Sequence, residues 1–225
     1  MPVVLLAHGS RHPHGIASIE RLRDAVAEDG LDARTAYLDL NQPDLNAAAQ
    51  SLRADGHRRA VVVPLLFTPA FHARTDAPAH IAAAQQRTGV ELITADIIGT
   101  PDDLIGLLLA AGNAAGIPAD GPVLLTSVGS SRQEANADVA DLAARVAGVR
   151  QAPVSAAFAT CEPRATRLLG DSDRADAPVG VLALFVGHGL LLDKITAAAD
   201  VPVAEPLEGA LAPLIRQRYG DALSR

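Results

Sequence analysis

The chain has 225 residues, enough for one large domain or two small ones, and it is 49% hydrophobic but only 3% aromatic, with no tryptophan. Its core must therefore be built from Ala, Val, Leu and Ile, which suits helices packed on a sheet. A net charge of −7, with the 19 Lys and Arg spread along the chain, excludes nucleic acid as the expected partner, and no apolar stretch approaches the roughly 18–20 residues that cross a bilayer.

The first element is a continuous apolar run, Val3-Val4-Leu5-Leu6-Ala7, which reads as a strand buried on both faces and delivers His8 into a tight polar turn, Gly9-Ser10-Arg11. Strand-like runs recur at about residues 34–39, 60–67 and 91–97. Between them lie helical faces: Ile19, Leu22 and Val26; Leu45, Ala49 and Leu52; Ile81 and Ala84; then Leu104, Leu107 and Leu108 after Pro101. Such alternation predicts a parallel sheet with helical crossovers. The periodicity stops at residues 116–122 and a strand resumes at Val123-Leu124-Leu125, so the expected division is an N-terminal α/β domain at 1–117 and a C-terminal one at 118–225.

The second half repeats the first. Leu5-Leu6-Ala7-His8-Gly9-Ser10 matches Leu125-Thr126-Ser127-Val128-Gly129-Ser130 at a constant offset of 120, and residues 66–72 match residues 185–191 at an offset of 119. The fold class expected is thus α/β, two tandem duplicated halves, each a small parallel sheet flanked by helices, with a cleft between them. His8 falls on Val128 and His72 on Leu191, so only the first half carries the paired imidazoles.

In a parallel sheet the loop after the third strand, carrying His72 and Arg74, leaves the same edge as the His8 turn, and so does Asp39 at the end of the second strand. Two imidazoles and a carboxylate suit a divalent transition metal and can accept protons near neutral pH. Each has a plainer reading: His8 as a strand-end histidine bonded to backbone, Arg74 as a loop partner of Asp76, and Asp39 with Asn41 and Pro43 as turn and cap chemistry. His12 and His14 lie in a proline-containing loop without fixed ligand spacing and read as surface. His57 and His80 do too, and His188 is expected to face the cleft from the second half. Cys161, the single cysteine, reads as a small buried hydrophobe and leaves no internal disulfide.

Leu5-Leu6-Ala7-His8-Gly9-Ser10-Arg11, Tyr37-Leu38-Asp39 followed by Asn41-Gln42-Pro43, and the segment from Pro64 to Pro78 resemble the sirohydrochlorin cobaltochelatase and ferrochelatase family, class II chelatases whose long members are duplicated. The resemblance implies a lyase that inserts Co2+, Fe2+ or a similar divalent metal into sirohydrochlorin or a related tetrapyrrole, for sirohaem or cobalamin synthesis. It makes His8 and His72 the metal-binding and catalytic pair. Asp39, also assigned to catalysis, stands where the family usually has glutamate, one methylene longer.

Ser10, Arg11, Arg74 and Ser130, with the helix N-termini expected after the two serines, would meet the macrocycle's carboxylates. No tightly bound cofactor is implied, the metal being a substrate; Ni2+ would suit the same imidazoles. The expected state is a cytoplasmic monomer or homodimer, since the first residues have neither the basic start nor the apolar segment of a signal peptide. Two other functions fit the motifs: a non-catalytic tetrapyrrole or metal carrier, and a phosphoryl transferase with His8 as nucleophile. The second is disfavoured, because no further Arg-His cluster, P-loop lysine or G-x-G-x-x-G is present.

Overall fold

A computed structural model describes residues 1–28, 30–69, 77–171 and 176–225. Among the described residues the chain runs β1 (Val3–Ala7), α1 (Gly15–Ala27), β2 (Ala33–Tyr37), α2 (Leu45–Ala54), β3 (Arg59–Pro64), α3 (Ala77–Thr88), β4 (Glu91–Thr94) and α4 (Asp103–Ala114). The second half follows with β5 (Val123–Ser127), α5 (Gln133–Arg150), β6 (Val154–Phe158), α6 (Ala165–Leu169), β7 (Val181–Ala183), α7 (Leu190–Ala197) and, after a 3-10 turn at Glu208–Leu211, α8 (Ala212–Leu223). Both sheets are wholly parallel, ordered β2-β1-β3-β4 and β6-β5-β7, as the uninterrupted apolar runs imply. β1 ends at Ala7 as expected, while the second, third and fourth predicted strands overrun the observed ones by two or three residues at their carboxyl ends, because ladder pairing stops at Ala7↔Tyr37, Leu6↔Pro64 and Val62↔Thr94.

β1 and β5 are the central strands, and every residue of both is buried. Val4 and Leu6 point into one core with Leu45, Ala48, Ala49 and Leu52 of α2 and Ile81 and Ala84 of α3. The predicted faces of α1, α2 and α3 are buried without exception, and in α4 Leu104 and Leu108 are buried while Leu107 is partly so. Asp44 starts α2 as its N-cap, its Oδ1 accepting from the Ala47 N–H at 2.7 Å.

Two compact units emerge, and they differ from a division at 117/118: Met1–Gly99 with Glu208–Arg225 forms one, Thr100–Leu207 the other. α4 packs on α5 and β7 of the second unit, where Gly112 lies against Leu182, and α8 packs on α1 and β3 of the first. Arg218 fixes α8 there by donating to the Ile97 and Ile98 carbonyls, while Arg216 donates to those of Ala25 and Val26. The returning chain is also held by Glu208, whose carboxylate accepts from Ser18 Oγ at 2.7 Å and from Arg21 Nε at 2.8 Å.

The duplication is legible in backbone hydrogen bonds. Leu38 N–H to Ala7 O and Asp39 N–H to His8 O recur as Ala159 to Ser127 and Thr160 to Val128, all 2.9–3.0 Å. Tyr37 to Pro43 recurs as Phe158 to Pro163, and Leu65 to Leu6 as Leu184 to Thr126. Gln42-Pro43 and Glu162-Pro163 are both cis.

Candidate active site

In the first unit β1 pairs with β2 on one side and β3 on the other, so the strand order turns back at β1, and ligands of open parallel sheets bind outside the carboxyl ends at such a point. His8 stands at that tip, exposed, one residue beyond the last buried position of the central strand. Its carbonyl accepts the Asp39 N–H at 3.0 Å, which ties the β1 tip to the β2 tip and brings His8 and Asp39 together through the backbone. His72 and Arg74, on the chain after β3, lie outside the described residues.

The turn after His8 is built from close approach. Gly9 has φ +101°, and a Cβ there would press into the Asp39 carbonyl oxygen, so only glycine lets these two tips meet. The Ser10 N–H donates to Asn41 Oδ1 at 2.6 Å, and Ser10 Oγ accepts from the His12 N–H at 3.0 Å. Asp39 is exposed, and its Oδ1 accepts the N–H of Leu40, a residue at φ +65°; in this structure the carboxylate therefore supports its own turn. Arg11 is exposed, and no described carboxylate pairs with it.

Ser10 and Ser130 do not cap helices. α1 begins at Gly15 with His14 as N-cap and α5 at Gln133 with Arg132 as N-cap, so the helix N-termini expected directly after the serines begin farther along. Each serine Oγ instead accepts the N–H two residues on, because the chain needs an extra turn before its apolar face meets the sheet. Loop histidines share that work: His12 Nδ1 accepts the His14 N–H at 3.1 Å, and the two rings sit 5.5 Å apart. His188 directs Nε2 to Glu205 at 3.4 Å within the second unit. Among the described residues no three His, Cys, Asp or Glu side chains form a metal-ligand set.

Sequence reasoning read Asn41 as turn chemistry beside Asp39 but missed that it reaches across to hold the His8 turn. The second unit makes the same bond from another place, Ser130 N–H to Asn136 Oδ1 at 2.9 Å, with Asn136 on α5 rather than after β6. Asn136 Nδ2 also donates to the Ser130 carbonyl and lies 3.4 Å from the half-buried Cys161 Sγ. No alignment of the halves pairs these asparagines, so the only signal was a chain N–H needing an acceptor at each tip.

Two parallel sheets in tandem, with a histidine at the central strand tip of the first, define the chelatase class of fold. The SirB chelatase of Bacillus subtilis subspecies spizizenii, solved with cobalt, superimposes over 100% of this chain and 96% of its own with a TM-score of 0.81 at 18% identity. CbiX, described as the terminal enzyme of sirohaem biosynthesis in denitrifying bacteria, gives a TM-score of 0.70 at 21% identity over 100% and 98% of the two chains. The CbiX family model matches residues 2–113, the part that carries His8, Asp39 and His72. A sirohydrochlorin cobaltochelatase of Saccharolobus islandicus is 32% identical over 123 residues, 49% of this chain and 91% of that one. The chain belongs to the CbiX family of chelatases. A sirohydrochlorin ferrochelatase of Priestia megaterium is 28% identical over 65% of this chain, and the match spans 57% of that relative's length.

Proposed function

We propose that this protein is a lyase that inserts Co2+ or Fe2+ into sirohydrochlorin or a related tetrapyrrole, in the synthesis of sirohaem or cobalamin. The observation that carries the reading is the exposed His8 at the tip of the central strand where the strand order turns back, with Asp39 tied beside it. Relatives named sirohydrochlorin ferrochelatase and cobaltochelatase support the substrate.

Insertion exchanges two pyrrole N–H protons for one divalent cation. The metal is a substrate here and the macrocycle keeps all its other atoms. A neutral imidazole at His8, with His72 as the second, would hold the arriving ion against one face of the ring and take up the leaving protons, which neutral pH permits for histidine. Imidazole nitrogens accept cobalt, iron and nickel alike, so metal supply rather than the donor set would select among them. Arg11, Arg74, Ser10 and Ser130 are assigned to the peripheral carboxylates. The proposed setting is the cytoplasm, as a monomer or homodimer; among the described residues no helix is long and apolar enough to cross a membrane.

The test is anaerobic absorbance of sirohydrochlorin with Co2+, Fe2+ or Ni2+, with and without protein. Acceleration lost in both His8→Ala and His72→Ala, each still folded, is the expected result. Full turnover in either variant would remove that residue from the mechanism, and a spectral shift on adding macrocycle without acceleration would make the protein a carrier.

A further inference from the structure

The duplicated halves differ in charge at matching places. In the first unit the β2 tip carries Asp39 and the N-cap of α2 is Asp44; the corresponding residues of the second unit are Thr160 and Arg164. Continuing the offset of 119 past residue 72, on the segment that follows β3, places Lys194 opposite Thr75, just as it places Leu191 opposite His72. The two acids of the first half thus give way to a hydroxyl and a cation, its two imidazoles to alkyl groups, and a further cation is gained at Lys194.

These replacements surround a depression of about 360 Å³ lying wholly in the second unit, lined by Thr160, Arg164, Thr166, Leu191, Lys194 and Ile195. The Arg164 side chain is 48% exposed; its Nε is 3.9 Å from Glu162, whose carboxylate is held more closely by Arg167 at 2.6 Å. Lys194 is exposed on α7, and no described carboxylate pairs with it, although Asp193 precedes it on the same helix. The Thr160 hydroxyl donates to the Val128 carbonyl at 2.8 Å, which fixes this wall to the β5 tip. There Val128, the counterpart of His8, is 45% exposed, and Leu190 at the start of α7 is 51% exposed. Two cations with spare donors beside exposed alkyl groups suit an anion borne on a flat apolar body.

We infer that the Arg164–Lys194 depression is a carboxylate-binding site that takes peripheral carboxylates of the tetrapyrrole. Its link to metal insertion rests on the function proposed above, but binding can be read without turnover. The ring's apolar edge would lie toward Val128 and Leu190, with its acid arms on Arg164, Lys194 and the Thr166 hydroxyl. Duplication would then have divided the labour, one half keeping the groups that handle a cation and the other acquiring those that hold an anion.

The experiment is a fluorescence titration of metal-free uroporphyrin, an octacarboxylate tetrapyrrole, into wild-type protein and the Arg164→Gln/Lys194→Gln variant, at low and high salt. The expected loss is roughly tenfold in affinity, together with a weaker salt dependence, because both removed charges are partly solvated. Arg164→Lys/Lys194→Arg should restore most of the binding, and unchanged thermal unfolding separates lost contacts from lost fold. Unaltered affinity in the double Gln variant, or no binding by wild type, would overturn the site. Displacement of uroporphyrin by an equal concentration of inorganic phosphate would overturn the carboxylate assignment. Absence of metallation by wild type with binding intact would count against the proposed activity and leave this site standing.

Discussion

Replacing Gly9 with alanine tests whether the close approach of two strand tips sets the position of His8. Two costs combine. At φ +101° a side chain is strained by roughly 1–2 kcal/mol. The new methyl also stands inside the Asp39 carbonyl oxygen and 3.0 Å from both the Asp39 carbonyl carbon and Asn41 Oδ1. Relief requires moving a backbone that is bonded to Asn41 N–H at 2.8 Å and, through Asn41, to Ser10, and overpacking of this kind costs roughly 1–3 kcal/mol. The control is Gly56→Ala: φ is +86° but nothing lies within 4 Å, so strain acts alone at roughly 1 kcal/mol. At roughly 2–4 °C per kcal/mol for a chain of this size, Gly56→Ala should lower the melting temperature by about 2–4 °C. Gly9→Ala, at about 3 kcal/mol, should lower it by about 6–12 °C. Calorimetry and urea unfolding read the pair, and metal insertion should fall in Gly9→Ala alone. Equal stabilities within about 0.5 kcal/mol would refute the reasoning, since the β2 tip would then be free to yield.

Other expectations are narrower. Asp32 is held below an ordinary aspartate first by hydrogen bonding to Arg34, against some desolvation, with His57 adding to the effect. A lowered carboxylate pKa stabilises the fold at neutral pH, and that contribution fades once pH drops below the ordinary 3.8 and is gone below the folded value. Asp32→Asn should therefore cost less than about 1 kcal/mol at pH 7, the group being 40% exposed, and progressively less as pH falls below 3.8 in urea unfolding; a cost that does not fall with pH would exclude the ion pair as the cause. Tyr37 is 2% exposed, and burial pushes its phenol pKa up. Among the described residues the Tyr37 hydroxyl has no hydrogen-bond partner of good geometry, so Tyr37→Phe should be neutral or stabilising by up to about 1 kcal/mol in thermal unfolding. A clear loss of stability would reveal a partner. His12→Ala removes an acceptor for the His14 N–H and should cost about 0.5–1.5 kcal/mol with metallation nearly unchanged; a large loss of turnover would give the loop histidine a part in the chemistry.

The local pattern was legible wherever one physical requirement dominates. Buried parallel strands read as apolar runs, amphipathic helices show their faces, and the offsets of 119 and 120 exposed the duplication that the backbone bonds reproduce. His8 at the first strand tip was likewise plain, because a polar turn must follow a strand that ends at the sheet edge. Periodicity identifies the residues that seek cover without naming what covers them. The apolar faces of α4 and α8 fit a sheet of either half, and only the assembled packing assigns α4 to β7 and α8 to β3. The roles of Asn41 and Asn136 were decided in the same way, since each is chosen by which amide reaches an unpaired tip N–H across space. Sequence alone determined the α/β repeat and the histidine at its first strand tip, because burial period and covalent order are local properties. Tertiary structure decided the membership of each unit and the late start of α1, because these depend on contacts between segments that sequence separation does not encode.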